Sequence, residues 1–307
     1  MGLEYPFLEV VIPAYNAEKY IAETLESIFN QKTNFDFTVH ISDDCSTDST
    51  CAICEEFKAF YPYLKITKQP DNIGMTRNQH FVITNSQAKY IAYIDSDDVF
   101  IGNDYLQKQV DFLEKHEDVT CVFSNIISLN ESDNSENIKF CEYNKPPIKF
   151  DLHFYFQNSI PITNSAMVFK QNLNHTIPSF FTNYFQYDWL LHIHHGLNGL
   201  FGYNDILGTK YRIHSNNATN IKFAEKKFLD AIELVYSVNN YLPEEYHKYF
   251  KHPNFELNSL AFFYLFDGRY LKFIFWYFKW FKVTSCKKIK FRDEFYKFRQ
   301  SLFKRTT

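Results

Sequence analysis

The sequence predicts an α/β fold: a doubly wound, mostly parallel sheet flanked by helices, with a helical C-terminal extension. Three observations carry that prediction. Short apolar runs rich in β-branched and aromatic residues alternate with stretches of helical periodicity through residues 1–125. Successive runs end abruptly in polar clusters, as strands do when they deliver side chains to one sheet edge. Beyond Asn220 the apolar residues recur at helical spacing to the end.

Leu8–Ile12 reads as the first buried strand, closed by Pro13. Asn16 suits an N-cap, and the helix it opens runs to about Gln31 with Ile21, Leu25, Ile28 and Phe29 on one face. Phe37, Val39 and Ile41 alternate with polar residues in a second strand ending at Ser42-Asp43-Asp44. Ser46-Thr47-Asp48 starts the next helix, buried through Ile53, Cys54, Phe57 and Phe60. Lys65–Lys68 is a short strand, Asn72-Ile73-Gly74 is turn chemistry, and a helix through Phe81 and Val82 leads to the strand at Tyr90. Later come a helix through Leu106, Val110 and Leu113, a strand over Val119–Ile127 and a polar loop over 128–149. Ala166–Lys170 is a strand, Gln186 to about Gly196 a helix, and Leu207–His214 a strand. Ala224, Phe228, Ile232 and Val235 open the helical extension.

The low glycine count of 8 and the lack of periodicity exclude collagen and repeat architectures. Charge is uneven. Residues 269–307 hold 12 Lys/Arg against Asp293 and Glu294, a net of +10, and the remainder carries −14. Such a tail suits an anionic surface. Residues Met1–Glu9 lack a cationic start followed by an apolar core, and no window approaches the ~18 apolar residues that span a bilayer. The six cysteines outline no disulfide framework and fit a reducing compartment.

The chemistry concentrates at Tyr90-Ile-Ala-Tyr-Ile-Asp95-Ser-Asp97-Asp98, a buried strand ending in three carboxylates. Crowded carboxylates repel one another unless a cation neutralises them. The same residues also fit an acidic loop capping the helix near Asp104. Pro13-Ala-Tyr-Asn16 and Asp43-Asp44 end the earlier strands, so polar clusters sit at three strand ends. A nucleoside diphosphate with a divalent metal would satisfy all three.

In order, Val-Ile-Pro-Ala-Tyr-Asn16, Ser42-Asp-Asp-Cys-Ser-Thr-Asp-Ser-Thr50, Asn72-Ile-Gly…Arg77-Asn and Tyr93-Ile-Asp-Ser-Asp-Asp98 resemble family 2 of the inverting nucleotide-sugar glycosyltransferases, which have the GT-A fold. The resemblance covers residues 6–125 closely and 126–215 loosely. It implies a hexosyl-type transferase with a catalytic domain over 1–220. Its nucleotide-binding half would be about 1–125 and its acceptor half about 126–220, with 221–307 a basic, aromatic extension. It also implies that Pro13, Tyr15 and Asp44 line a uridine pocket with Asp43 beside it, and that Arg77 lies near the diphosphate. Asp95 and Ser96 would contact the donor, Asp97 would bind Mn²⁺ or Mg²⁺, and Asp188 would be the catalytic base. His214 stands where relatives carry a histidine that reaches the metal or diphosphate.

Inverting transfer needs a base for the attacking hydroxyl and a cation for the departing diphosphate. Simpler readings stand beside these roles. Asp188 also suits a helix N-terminus, where the macrodipole favours an acid, and a strand-end histidine such as His214 is often structural. Cys51-Ala-Ile-Cys54 has zinc spacing but no second pair, and Cys54 reads as a core residue. His192, His194 and His195 do not share a helical face, so partial exposure is expected.

As a helix, Arg269–Lys282 gathers four cations in one arc opposite aromatics that include Trp276 and Trp280, and Lys287, Lys288, Lys290 and Arg292 follow. That pattern over 269–292 suits either a bilayer surface or packing on the protein's own core, with a partner subunit as a third possibility. No nucleic-acid-binding module accompanies it. The expected partners are a UDP-sugar and a saccharide or lipid-linked acceptor of surface polysaccharide synthesis, at the cytoplasmic face of the cell membrane. The alternatives are a non-catalytic glycan- or sugar-nucleotide-binding relative, and a nucleotidyltransferase. The latter would show a Gly-rich basic loop after the first strand, which Pro13–Asn16 is not.

Overall fold

The computed structural model describes residues 6–138, 145–171, 176–215, 217 and 224–249. The chain divides into two compact units, Met1–Asn183 with Tyr187–Ser215, and Tyr184–Gln186 with Asn216–Thr307. The expected basic helix at 269–292 lies outside the described residues. Among those described, no helix is long and apolar enough to cross a membrane.

The first unit is built on a ten-stranded sheet. Its first half alternates as the sequence predicts: β1 (Leu8–Ala14), α1 (Ile21–Phe29), β2 (Phe37–Asp43), α2 (Thr50–Phe60), β3 (Leu64–Lys68), α3 (Met75–Thr84) and β4 (Tyr90–Tyr93). Strands β3-β2-β1-β4 pair in parallel, so all four present their carboxyl ends on one edge. Leu8, Val10, Ile12, Val39, Ile41 and Ala92 are fully buried against Ile21, Leu25 and Ile28 of α1. A sheet covered on both faces tolerates such continuous apolar runs.

The second half is mixed rather than parallel. It comprises β5 (Val99–Phe100), α4 (Tyr105–Lys115), β6 (Val119–Asn130), β7 (Ser135–Ile138), β8 (Lys149–Phe150), α5 (Leu152–Asn158), β9 (Met167–Lys170), α6 (Tyr187–Asn198) and β10 (Leu200–Ile213). The sheet order is β3-β2-β1-β4-β9-β6-β10-β5. Strand β9 enters antiparallel between β4 and β6, so the sheet is less parallel than the alternation suggests. The insertion brings Ser165, just before β9, to the end of β4.

Several boundaries differ from the sequence reading. Asn16 does not cap α1: its φ is 49° and its side chain turns to the β2–α2 loop, while the helix begins four residues after the chain leaves Ala17. Helix α2 starts at Thr50, because Asp48 Oδ1 accepts from the Thr50 N–H and closes a local turn. Phe60 is 80% exposed rather than buried. The expected loop over 128–149 contains the end of β6, which forms a hairpin with β7, and strand β8. Strand β10 begins at Leu200, seven residues before the expected Leu207. Histidines 192, 194 and 195 are all buried, because α6 lies against the sheet and also packs with α5. Burial holds His195 well below the usual histidine range, with the neighbouring His194 and His192 adding to the effect.

Within the second unit, α7 (Ala224–Val238) precedes a 3₁₀ turn over Glu244–Tyr249, and Tyr184 donates to Ser237 Oγ at 2.8 Å.

Candidate active site

Two adjoining loops, following β1 and β2, form the first part of the site. The Asn16 N–H donates to Ser46 Oγ at 2.9 Å, and Asn16 Oδ1 accepts from the Thr47 N–H at 2.8 Å. The Ala17 N–H donates to Thr50 Oγ1, the Glu18 N–H to Asp48 Oδ2, and the Ser49 N–H to Glu18 Oε2. Both left-handed residues here, Asn16 and Cys45, are held by this stitching rather than by glycine. Pro13 and Ala14 close β1, and Tyr15 is 49% exposed beside them.

Asp43 and Asp44 are buried but differently engaged. Asp43 accepts from the Ser46 hydroxyl and, at 3.3 Å, from the Ser46 N–H. The two oxygens of Asp44 accept from the Ile73 N–H at 2.7 Å and the Gly74 N–H at 2.9 Å. Burial raises the Asp44 carboxyl above the usual range, and these two bonds oppose the rise. Gly74, with φ 87°, makes the turn into α3 that lets consecutive amides face one carboxylate. Arg77 is exposed in the first turn of α3. Asn78 and Gln79 beside it are buried, and Gln79 Nε2 donates to the Tyr93 hydroxyl at 2.8 Å.

The carboxylates after β4 take three distinct positions. Asp95 accepts from Tyr93 OH at 2.6 Å and from Ser165 Oγ at 3.3 Å, and its N–H donates to Ser165 Oγ. Burial raises its pKa, with the charge of Asp97 next in size, then that of Asp188 after the opposing Tyr93 and Ser165 hydroxyls. Asp98 is fully buried, with Oδ1 accepting from the Arg212 N–H at 2.9 Å and Oδ2 unpartnered. Burial raises this carboxyl too, reinforced by Asp97 and Asp95. Asp97 is partly accessible, and its Oδ2 lies 2.9 Å from His214 Nε2. The Ser96 carbonyl, between them, accepts from Thr24 Oγ1.

His214 follows β10, 117 residues beyond Asp97, and the parallel pairing of β10 with β6 carries it to this edge. One carboxylate and one imidazole with facing donor atoms suit two adjacent positions around a hard or borderline divalent cation. Among the described residues no group of three or more His, Cys, Asp or Glu forms a closed cage. The Cys51/Cys54 pair has no such setting: both thiols are free, and burial pushes Cys54 up to about 12.

Asp188 is exposed in the first turn of α6, and its carboxylate accepts from the Trp189 N–H. Its charge is felt at Asp95, Tyr93 and Tyr155. Four residues on, His192 bridges Tyr155 OH and Asn164 Oδ1 at 3.1 and 2.9 Å, linking α6 to the turn that carries Ser165.

Arg212, Tyr20 and Glu131 escaped the sequence reading. Arg212 is 8% exposed; its Nε donates to the Asp97 carbonyl at 2.8 Å, and its guanidinium pairs with Glu23 and Glu131. The one available signal was an arginine in Tyr211-Arg-Ile-His214, since a cation inside a strand needs acidic partners to be buried.

The model for glycosyl transferase family 2 matches residues 9–178, more than half of the chain. An uncharacterized protein of Mycobacterium tuberculosis is 29% identical over 226 residues, covering 72% of this chain and 62% of its own length. The chain thus spans under two thirds of that relative. The putative teichuronic acid biosynthesis glycosyltransferase TuaG of Bacillus subtilis is 26% identical over 224 residues, covering 72% of this chain and 85% of its own. Among solved structures, S. aureus TarS 1–349 in complex with UDP-GlcNAc superposes with a TM-score of 0.60 at 17% identity, over 94% of this chain and 77% of the other. At that identity the likeness concerns the fold, and the sheet with its stitched loops is of the GT-A kind. The chain belongs to glycosyl transferase family 2.

Proposed function

We propose that this chain transfers a sugar, with inversion, from a UDP-sugar to a hydroxyl of a saccharide or lipid-linked acceptor in surface polysaccharide synthesis. The observation that carries the reading is the meeting of Asp97 and His214 at 2.9 Å, beside half-buried Asp95 and buried Asp98 and within the field of Asp188. TuaG, named for teichuronic acid biosynthesis, and TarS, solved with UDP-GlcNAc, support the polysaccharide and UDP assignments.

Asp97 and His214 would hold Mn²⁺ or Mg²⁺, which when bound neutralises charge developing on the departing diphosphate. Pro13, Tyr15, Asp43 and Asp44 border the nucleoside; Asp44, though committed to two amides, keeps lone pairs for a base N–H. Asp95, oriented by Tyr93 and Ser165, and the Ser96 segment face the donor sugar, and Arg77 lies toward the diphosphate. Asp188 accepts the proton of the attacking acceptor hydroxyl.

The test is a panel of nucleotide sugars, with Mn²⁺ and with chelator, scored for nucleoside diphosphate release with and without saccharide acceptors. Release from one UDP-sugar, lost with chelator and in Asp97→Ala, is expected. Release that is indifferent to chelator and to Asp97→Ala would refute the metal assignment, and release from a GDP-sugar alone would refute the donor.

A further inference from the structure

The site contains a support that the proposed reaction does not itself use. Tyr20, immediately before α1, lays its ring on the His214 imidazole, with centroids 4.8 Å apart and planes inclined by 23°. Its hydroxyl donates to Glu131 Oε2 at 2.9 Å, at the turn where β6 ends. Glu131 Oε1 lies 3.7 Å from Arg212 Nη1, and the Arg212 guanidinium sits 5.4 Å from the Tyr20 ring centroid. Arg212 then reaches the Asp97 carbonyl through Nε and Glu23 in the first turn of α1 through Nη2. Three separate segments, the start of α1, the end of β6 and the end of β10, thus converge behind Asp97 and His214.

We propose that Tyr20 is a positioning residue for the divalent metal: its ring fixes the His214 imidazole with Nε2 turned to Asp97, and the hydroxyl–Glu131–Arg212 chain ties that stack to the Asp97 backbone. The inference rests on the assignment of Asp97 and His214 as metal ligands. The physical need is clear. His214 lies one residue beyond β10, and its imidazole lies against the Tyr20 ring. A ligand free to rotate loses rotamer entropy on binding a cation, whereas a stacked ring has surrendered it in folding. The pair Asp97–His214 supplies only two donors, so the orientation of each weighs heavily on affinity.

The arrangement also separates the two parts of Tyr20. The ring acts directly on His214, and the hydroxyl acts through Glu131. Phenylalanine keeps the first and leucine keeps neither.

The experiment is a Mn²⁺ titration of the full chain in the presence of UDP, followed by the loss of the free-Mn²⁺ electron paramagnetic resonance signal. It compares wild type with Tyr20→Phe, Tyr20→Leu and Glu131→Gln. Thermal unfolding and metal-free UDP binding are measured on each variant. Loss of an outer-shell partner weakens metal affinity by about 10–100-fold. Tyr20→Leu is therefore expected to weaken Mn²⁺ by about 10-fold or more, with Tyr20→Phe and Glu131→Gln each within about 3-fold of wild type. Metal-free UDP binding should be unchanged in all three. Equal Mn²⁺ affinity in wild type and Tyr20→Leu overturns the proposal alone, as does equal weakening in the Phe and Leu variants. Wild-type protein that takes up no Mn²⁺ with UDP overturns the ligand assignment itself, and the proposal with it.

Discussion

Replacing Asp44 by Asn preserves its shape and removes one of the two acceptors that anchor the turn before α3. Both carboxylate oxygens are engaged, at 2.7 Å to the Ile73 N–H and 2.9 Å to the Gly74 N–H. An amide offers a single carbonyl oxygen, so one N–H keeps a partner and the other meets an NH₂ group. A hydrogen bond to a charged acceptor contributes about 1.5–3 kcal/mol, and an orphaned buried donor adds a cost of its own. Relief of the burial that raises the Asp44 carboxyl offsets part of this. A net loss of about 2 kcal/mol at the turn follows, or roughly 30-fold in the opening equilibrium. Amide hydrogen exchange at Ile73 and Gly74 reads it directly. One of the two should exchange about 30-fold faster in Asp44→Asn, with the core amides of β1 unchanged. Unchanged exchange at both would show that the carboxylate does not anchor the turn.

Three further outcomes are expected. Asp188→Asn should lower transfer by about 10²–10⁴-fold while leaving donor affinity intact, measured by steady-state kinetics beside calorimetry with UDP; near-normal turnover would dismiss the base assignment. His40, with Nε2 on Thr67 and Nδ1 unpartnered, is pushed down to about 4 by burial and then by Lys65. The unfolded chain then takes up a proton that the folded chain refuses. Stability from this group is complete above pH 6.5 and falls by up to about 3 kcal/mol as pH drops toward 4. Urea unfolding of wild type against His40→Asn should show that slope flattened in the variant. Gly208→Ala would place a Cβ against Tyr105 Cε2 and Ser124 Oγ, closer than van der Waals contact allows, so thermal unfolding should register about 1–3 kcal/mol of destabilisation. An unchanged midpoint would mean that Ser124 and Tyr105 both move aside.

The parallel half of the sheet was legible because each strand is a brief apolar run cut off by a polar cluster. Leu8–Ala14, Phe37–Asp43 and Tyr90–Tyr93 all have that form, and their shared carboxyl edge follows from parallel pairing. The antiparallel entry of β9 was not legible. Met167–Lys170 is apolar in either direction, and only its partners on both sides decide which way it runs. Strand β10 was truncated in the reading because Asn204 and Asp205 resemble turn residues, yet they sit at register shifts within a continuous pairing with β6. The aspartates of the site announced themselves by crowding. Tyr20, Glu131 and Arg212 did not, since their meaning lies in a hydrogen bond and a stack that join residues more than a hundred positions apart. The buried histidines of α6 show the same limit: helical spacing gives a face, but not what covers it.

The stitched loops after β1 and β2 bear on how fast a ligand is captured. Their cross-loop bonds, from Asn16 to Ser46 and Thr47 and from Glu18 to Asp48 and Ser49, are all made between atoms of the protein itself. A molecule arriving at this edge meets a rim that is already ordered, so no folding step stands between encounter and occupancy there. The heat-capacity change of nucleotide binding should therefore scale with the surface the nucleotide covers, and the association rate should vary little with temperature beyond the viscosity of water.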